Sequence, residues 1–219
     1  MSPGAWATFW TDAAGGRPAA VRWSDDPSPV PAKSWSGPLD CADIELLARI
    51  CGPAIDLGCG PGRFVAAMRA RGLDALGVDV SAQAIQLARS RGGTAVTRCL
   101  FDPLPGEGSW EHALLVDGNI GIGADPVRLL RRAFELLTPG GSVHVELDPP
   151  NTCSGPVLLH LESADSVREP LHWARVSASG FAALAGQAGL TVREIWHRAD
   201  RWFAHAIRPS TTEPDPVAV

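Results

Sequence analysis

A chain of 219 residues can bury one α/β domain and still leave a few dozen residues for an attachment. A hydrophobic fraction of 45% and a charged fraction of 20% are those of an ordinary soluble globule, and a net charge of -5 argues against the basic footprint of a nucleic-acid binder. No apolar run reaches the roughly 18–20 residues of a membrane span, and the first ten residues lack the charged start and apolar core of a signal peptide, so a cytoplasmic location is the expectation.

Residues 1–39 differ in character from the rest of the chain. They hold Trp6, Trp10, Trp23 and Trp35, and the run Asp25-Asp26-Pro27-Ser28-Pro29-Val30-Pro31. Those prolines preclude a continuous helix or a central strand, so the segment is expected to be irregular. Its tryptophans imply that it packs on the main domain, as a docked arm or as a lid over a substrate pocket.

Regular patterning begins at Asp40, and residues 40–209 read as the main domain. Asp40 caps a predicted helix through Ile50, with Ile44, Leu47 and Ala48 on one face. Ala54–Leu57 is a short apolar strand, Arg63–Arg71 a helix closed by Gly72, and Ala75–Asp79 the next strand. Ser81 caps a helix through Arg91, and Thr94–Cys99 and His112–Val116 are strands. Asp125-Pro126 opens a helix through Leu137, with proline in its first turn. Thr138-Pro139-Gly140-Gly141 is a turn before the strand Ser142–Leu147. Ser177 or Ser179 caps a helix through Ala188, and Thr191–Arg198 and Trp202–Arg208 form a hairpin. Residues 210–219 read as a frayed tail. Strands that are apolar throughout, alternating with helices, indicate a parallel sheet covered on both faces.

The five cysteines include no C-x-x-C pair, so a reduced, metal-free protein is expected. Chemistry concentrates in Asp56-Leu57-Gly58-Cys59-Gly60-Pro61-Gly62-Arg63, where a strand runs through alternate glycines into a helix. A turn without Cβ atoms lets a ligand touch the backbone. The dinucleotide fingerprint needs glycine at the sixth position from Gly58, where Arg63 stands, which disfavours a nicotinamide-dependent oxidoreductase. The phosphate-binding P-loop fails for want of Lys-Ser or Lys-Thr. Asp79 ends the second strand about 20 residues further on, where an acidic side chain can accept ribose hydroxyls.

The D-x-G-x-G-x-G loop, the acidic end of the second strand, Phe101-Asp102-Pro103 after the third and the Pro139-Gly140-Gly141 turn together resemble the class I S-adenosylmethionine-dependent methyltransferases. The likeness covers residues 54 to 147. It implies a Rossmann-like sheet of seven mostly parallel strands with the last antiparallel, helices on both faces, and the tryptophan-rich arm as an addition. It also implies S-adenosylmethionine held by Asp56, Gly58, Cys59, Gly60, Gly62 and Arg63, with Asp56 near its ammonium. Asp79, with Val80 beside it, would take the ribose; Asp102, with Phe101, would meet the adenine.

In Asp117-Gly118-Asn119-Ile120-Gly121-Ile122-Gly123 the glycines imply backbone packed against the cofactor's methionine end, with Asp117 and Asn119 facing its ammonium or the substrate. Asp117, Glu146 and His172 are the candidate bases. A small-molecule acceptor is expected, with no nucleic-acid or membrane partner. A non-methylating nucleoside-binding protein of the same fold stays open as the alternative.

Overall fold

Apolar strands need cover on both faces, and the chain supplies helices around one large sheet and a second, smaller sheet above it. The computed structural model describes residues 3–163, 166–167 and 169–210; the tail from residue 211 onward lies outside the described residues. The amino-terminal part forms α1 (Pro3–Ala14), β1 (Ala19–Trp23), β2 (Asp26–Pro31) and the short α2 (Lys33–Ser36). The segment is thus ordered into elements, contrary to the expectation of irregular chain. The prolines act only locally: α1 ends before the proline-rich run, and β2, which carries it, is an edge strand.

The body largely alternates helix and strand. It comprises α3 (Cys41–Ala48), β3 (Ala54–Leu57), α4 (Arg63–Ala70), β4 (Ala75–Asp79), α5 (Ala82–Ser90), β5 (Ala95–Thr97), β6 (Trp110–Leu115), α6 (Pro126–Leu136) and β7 (Leu137–Leu147). An excursion then supplies β8 (Gly155–Ser163), β9 (Ser166–Val167) and β10 (Leu171–Arg175), before α7 (Phe181–Gln187), β11 (Thr191–Arg198) and β12 (Arg201–Ile207) complete the body. The large sheet has the order β11-β12-β7-β6-β3-β4-β5, with β12 antiparallel to both neighbours and the β7-to-β5 side parallel throughout. This is the seven-stranded Rossmann-like α/β fold that the motifs imply.

The small sheet, of order β10-β8-β1-β2, joins two distant pieces of chain. Its strands β8 and β10 fall between residues 148 and 176, where local patterning shows no strand. Strand β10 pairs with β8, and β8 pairs in turn with β1, far upstream (Val21 opposite Leu161, Trp23 opposite Leu159), so the contact that joins this excursion to the amino-terminal segment is not local.

Two smaller corrections concern helices. Helix α3 buries Ala42, Asp43, Leu46 and Leu47, whereas Ile44 is 59% exposed. The helix turns Asp43 inward because two guanidiniums wait for it there. The N-cap of α7 is Gly180, with Ser177 Oγ accepting its N–H at 3.3 Å.

Beneath the sheet's far end lies a row of histidines. His112 Nδ1 is 3.0 Å from Ser142 Oγ and 3.2 Å from His144 Nε2, and the His144 ring stacks on His205 at 4.9 Å. Burial lowers the pKa of all three; neighbouring histidines press the same way on His112 and His144, as Arg49 does on His144 and His205. At these three sites the unfolded chain takes up protons near pH 6.5 where the folded chain does not, so their contribution to stability is full above that pH and falls below it. The carboxyls of Asp56, Asp79 and Asp117, which burial raises, act the other way in the same window, so the histidines are read by difference: His144→Phe should lose less of its thermal midpoint than the unaltered protein between pH 6.5 and 5. An identical slope in the folded variant would refute this assignment.

Candidate functional site

The site forms where the parallel strands end. Gly58 and Cys59 donate their N–H groups to Val78 O at 2.8 and 3.0 Å, which ties the glycine loop to β4. Gly60 N–H donates to Asp79 Oδ2 at 3.0 Å, and Ser81 N–H to Asp79 Oδ1 at 2.8 Å. Asp79 thus fastens the loop and opens α5 while its carboxylate still lines the cavity. Gly62 starts α4 at φ 77, and a Cβ there would meet Ala88 Cβ at 2.4 Å. It serves the packing of α4 on α5 and does not line the cavity.

Asp56, at the end of β3, is 2% exposed, and its Oδ2 has no hydrogen-bond partner among the described residues. Burial pushes its carboxyl up to about 7, helped by the charges of Asp117 and Asp79 and opposed by Arg63. Burial likewise raises Asp79. Asp117 sits after β6 in the left-handed region (φ 58) and receives Arg63 Nη2 on both oxygens, at 2.8 and 2.9 Å. Burial and Glu146 raise its pKa while Arg63 and Arg201 pull the other way.

Behind this floor runs a charge network. Arg63 also bonds Asp43, and Arg201 reaches Asp43 (2.8 Å), Asp40 (3.0 Å) and both oxygens of Glu146 (2.8 and 2.9 Å). Glu146 Oε2 accepts the Asp117 N–H at 2.7 Å. The Nε of Arg63 is buried without a partner among the described residues. Asn119 donates to Leu57 O and Gly58 O at 3.1 and 2.8 Å, so the turn after β6 is pinned to the glycine loop.

Above the floor lies a cavity, partly open to solvent. Its roof is Trp6, Trp10, Trp23, Trp35 and Trp173 with Leu159, contributed by α1, β1, α2, β10 and β8. The rings touch in sequence: Trp10–Trp35 at 6.3 Å, Trp35–Trp6 at 6.5 Å, Trp6–Trp173 at 6.2 Å and Trp173–Trp23 at 6.3 Å. The glycines of the turn after β6 seat this roof. A Cβ on Gly121 would lie 2.1 Å from Ala174 O and 2.2 Å from the Trp173 ring, and one on Gly118 would face Trp23 at 3.5 Å. Trp173 Nε1 also donates to Gly118 O at 3.0 Å.

Of the residues singled out from sequence, Asp56, Gly58, Cys59, Gly60, Arg63, Asp79, Val80, Asp117 and Asn119 line this one cavity. Gly62, Phe101, Asp102, Glu146 and His172 do not. The Phe101 ring lies under the Arg128 guanidinium at 4.0 Å, Asp102 is exposed, and Leu100 lines the cavity in their place. Glu146 is engaged by Arg201. His172 is exposed on β10, and strand alternation turns it away from the face that carries Trp173. Asp43, Arg201 and Trp173 carry no local motif; only the pairing of Asp40 with Asp43 as a capping box was there to be read.

Residues 54–141 match the model of a family described as a methyltransferase domain. Trans-aconitate 2-methyltransferase of Methylobacterium radiotolerans is 37% identical over 156 residues, 66% of this chain; the chain spans about half (55%) of that relative's length. A S-adenosylmethionine-dependent methyltransferase from Bacteroides fragilis, solved with S-adenosylhomocysteine, superposes with a TM-score of 0.73 at 19% identity, covering 93% of this chain and 92% of its own. The 1,6-didemethyltoxoflavin-N1-methyltransferase of Burkholderia thailandensis gives 0.64 at 17% identity, over 96% and 92%. At such identities these two likenesses concern the fold.

Removing one partner from a buried ion network strands the other charges, at about 3–5 kcal/mol. Arg201→Met should lower stability by about that amount in urea unfolding, because Glu146 and Asp43 lose their shared guanidinium. A change under about 1 kcal/mol would show that the network adds little to the fold.

Proposed function

We propose that this chain, which belongs to the class I S-adenosylmethionine-dependent methyltransferases, transfers a methyl group to a small-molecule acceptor by in-line displacement. One observation carries the reading. The cavity is lined by a buried carboxylate with an unpartnered oxygen, Asp56, and by a buried guanidinium with an unpartnered nitrogen, Arg63. An acceptor-only anion and a donor-only cation, each with one hydrogen-bonding atom left unpaired, complement the ammonium and carboxylate of an α-amino acid, the methionine end of the cofactor. Buried polar groups without partners in the protein call for partners in a ligand.

The rest of the floor fits the same group. The Gly58 and Gly60 backbone gives close approach, Asp79 keeps carboxylate capacity for ribose hydroxyls, and Val80 and Leu100 supply apolar surface for the adenine. Bound S-adenosylmethionine supplies a methyl group already activated on a sulfonium. What the residues contribute is alignment and exclusion of water. Residues 1–39 act as part of a lid: α1, β1 and α2, with β8 and β10 from the body, cover the cavity from above. Where the acceptor must shed a proton, Asp117 is the base among the three candidates, since it alone of Asp117, Glu146 and His172 lines the cavity. Trans-aconitate and 1,6-didemethyltoxoflavin, in the names of two relatives, are both small molecules, which supports an acceptor of that size.

S-adenosylhomocysteine should bind the purified protein with measurable heat and raise its melting temperature; no heat and no shift at millimolar ligand would defeat the reading. Asp79→Ala should weaken that binding roughly 10- to 150-fold, the equivalent of about 1.5–3 kcal/mol for a charge-assisted hydrogen bond. Unchanged affinity would leave Asp79 as a fastener of the loop alone.

Affinity should also depend on pH. The ligand ammonium needs Asp56 ionised, and the empty site holds that carboxyl up to about 7. Binding should therefore tighten as pH rises from 6, by about fivefold between pH 6 and 7, and level off above 8. Asp56→Asn should bind weakly with a flat profile between pH 6 and 8. A flat profile in the unaltered protein would show that Asp56 does not meet the ammonium.

A further inference from the structure

Among the described residues, neither wall of the cavity offers a free cation. The roof is five indoles and Leu159, with no charged side chain. The floor offers Asp56, Asp79 and Asp117 against a single guanidinium, Arg63, which Asp43 and Asp117 already share. Among the described residues no lysine or histidine lines it. A flat ring can stack among the tryptophans at little cost in ordering. An anionic acceptor would enter between indoles and carboxylates with no free cation to meet it.

We propose that the acceptor is a flat, uncharged nitrogen nucleophile, an aromatic amine or nitrogen heterocycle seated among the tryptophans, and that the methyl group goes to nitrogen. The inference rests on the methyl-transfer reading above. Its physical basis is charge conservation within a buried, acidic space. The nitrogen lone pair forms the new N–C bond as the C–S bond breaks, and the electron pair of that bond stays on sulfur. One positive charge thus moves from sulfur to nitrogen, and the cavity holds a cation before and after. Where the nitrogen bore hydrogen, the surplus proton passes to Asp117 and on to water. A carboxylate or phenolate would instead cancel the sulfonium charge and leave the acidic floor without its counter-cation.

The test uses the full chain and two pairs of probes matched in ring and size, each an uncharged aromatic amine against its carboxylate: 2-naphthylamine against 2-naphthoate, and 5-aminoindole against indole-5-carboxylate. S-adenosylhomocysteine binding is measured first, alone. Its failure would bring down the methyl-transfer reading and this inference with it, before any acceptor is added. On the loaded protein, each amine should bind at least tenfold more tightly than its carboxylate partner. Asp117→Asn should narrow that ratio, and Trp23→Leu and Trp35→Leu should each weaken amine binding at least tenfold more than they weaken S-adenosylhomocysteine binding. With labelled S-adenosylmethionine, label should appear on nitrogen of an amine probe and on neither carboxylate. Carboxylates binding as tightly as the amines, or no amine binding to a protein that does take S-adenosylhomocysteine, would overturn the proposal.

Discussion

Two guanidiniums hold the working end of this molecule together. Arg63 sits at the start of α4 and Arg201 at the start of β12, and between them they engage Asp40, Asp43, Asp117 and Glu146. The network joins an early helix, the glycine loop, the ends of β6 and β7, and the last hairpin. Its charges do not balance: four carboxylates face two cations. With Asp56 and Asp79 close by, the surplus is negative, and desolvation raises the carboxyls of Asp56, Asp79 and Asp117. Such an arrangement costs free energy in the empty protein and is relieved by a cation. Holding the floor under that strain also demands rigidity, which explains Asp117 in a left-handed conformation fixed by bonds at both its backbone N–H and its carboxylate.

The roof obeys a different physical rule. It is held by backbone pairing and by contact among rings, with few charges. Strand β1 threads beside β8, which brings Trp23 opposite Leu159 and next to Trp173, while α1 lays Trp6 and Trp10 against Trp35. Its fit to the body depends on the glycines after β6, where bare backbone lets Trp173 come down onto the turn. An electrostatic floor and a dispersive roof therefore meet over one cavity, and each can be altered with limited effect on the other.

Most of the floor was legible in the sequence because it is local. Asp56 to Arg63 is one strand, one turn and one helix start, and Asp79 stands at the spacing that a βαβ unit imposes. The parallel part of the sheet was legible for the same reason, its central strands β3 and β4 being buried and almost wholly apolar. What escaped reading involves partners distant along the chain. Trp173 and Leu159 reach the cavity only because β8 pairs with a strand near the amino terminus, and Arg201 reaches Glu146 only because β12 lies against β7. Nothing near Arg201 in sequence marks it. The glycines at 118, 121 and 123 were legible as close approach, but the approaching atoms belong to Trp23, to Trp173 and Ala174, and to Phe101. His172 was read without its strand, and a strand's alternation decides on which side a histidine falls.

The seat at Gly121 has a consequence for headroom. The ceiling height over the carboxylates is set where Trp173 and the Ala174 carbonyl rest on a residue with no side chain. One methyl group at that spot would act as a spacer and lift the ceiling by an ångström or more, roughly the distance by which a hypothetical Cβ falls short of ordinary contact. Clearance over a flat ring is measured in such increments. One residue without a side chain thus sets how closely the roof rests on the turn that carries Asp117.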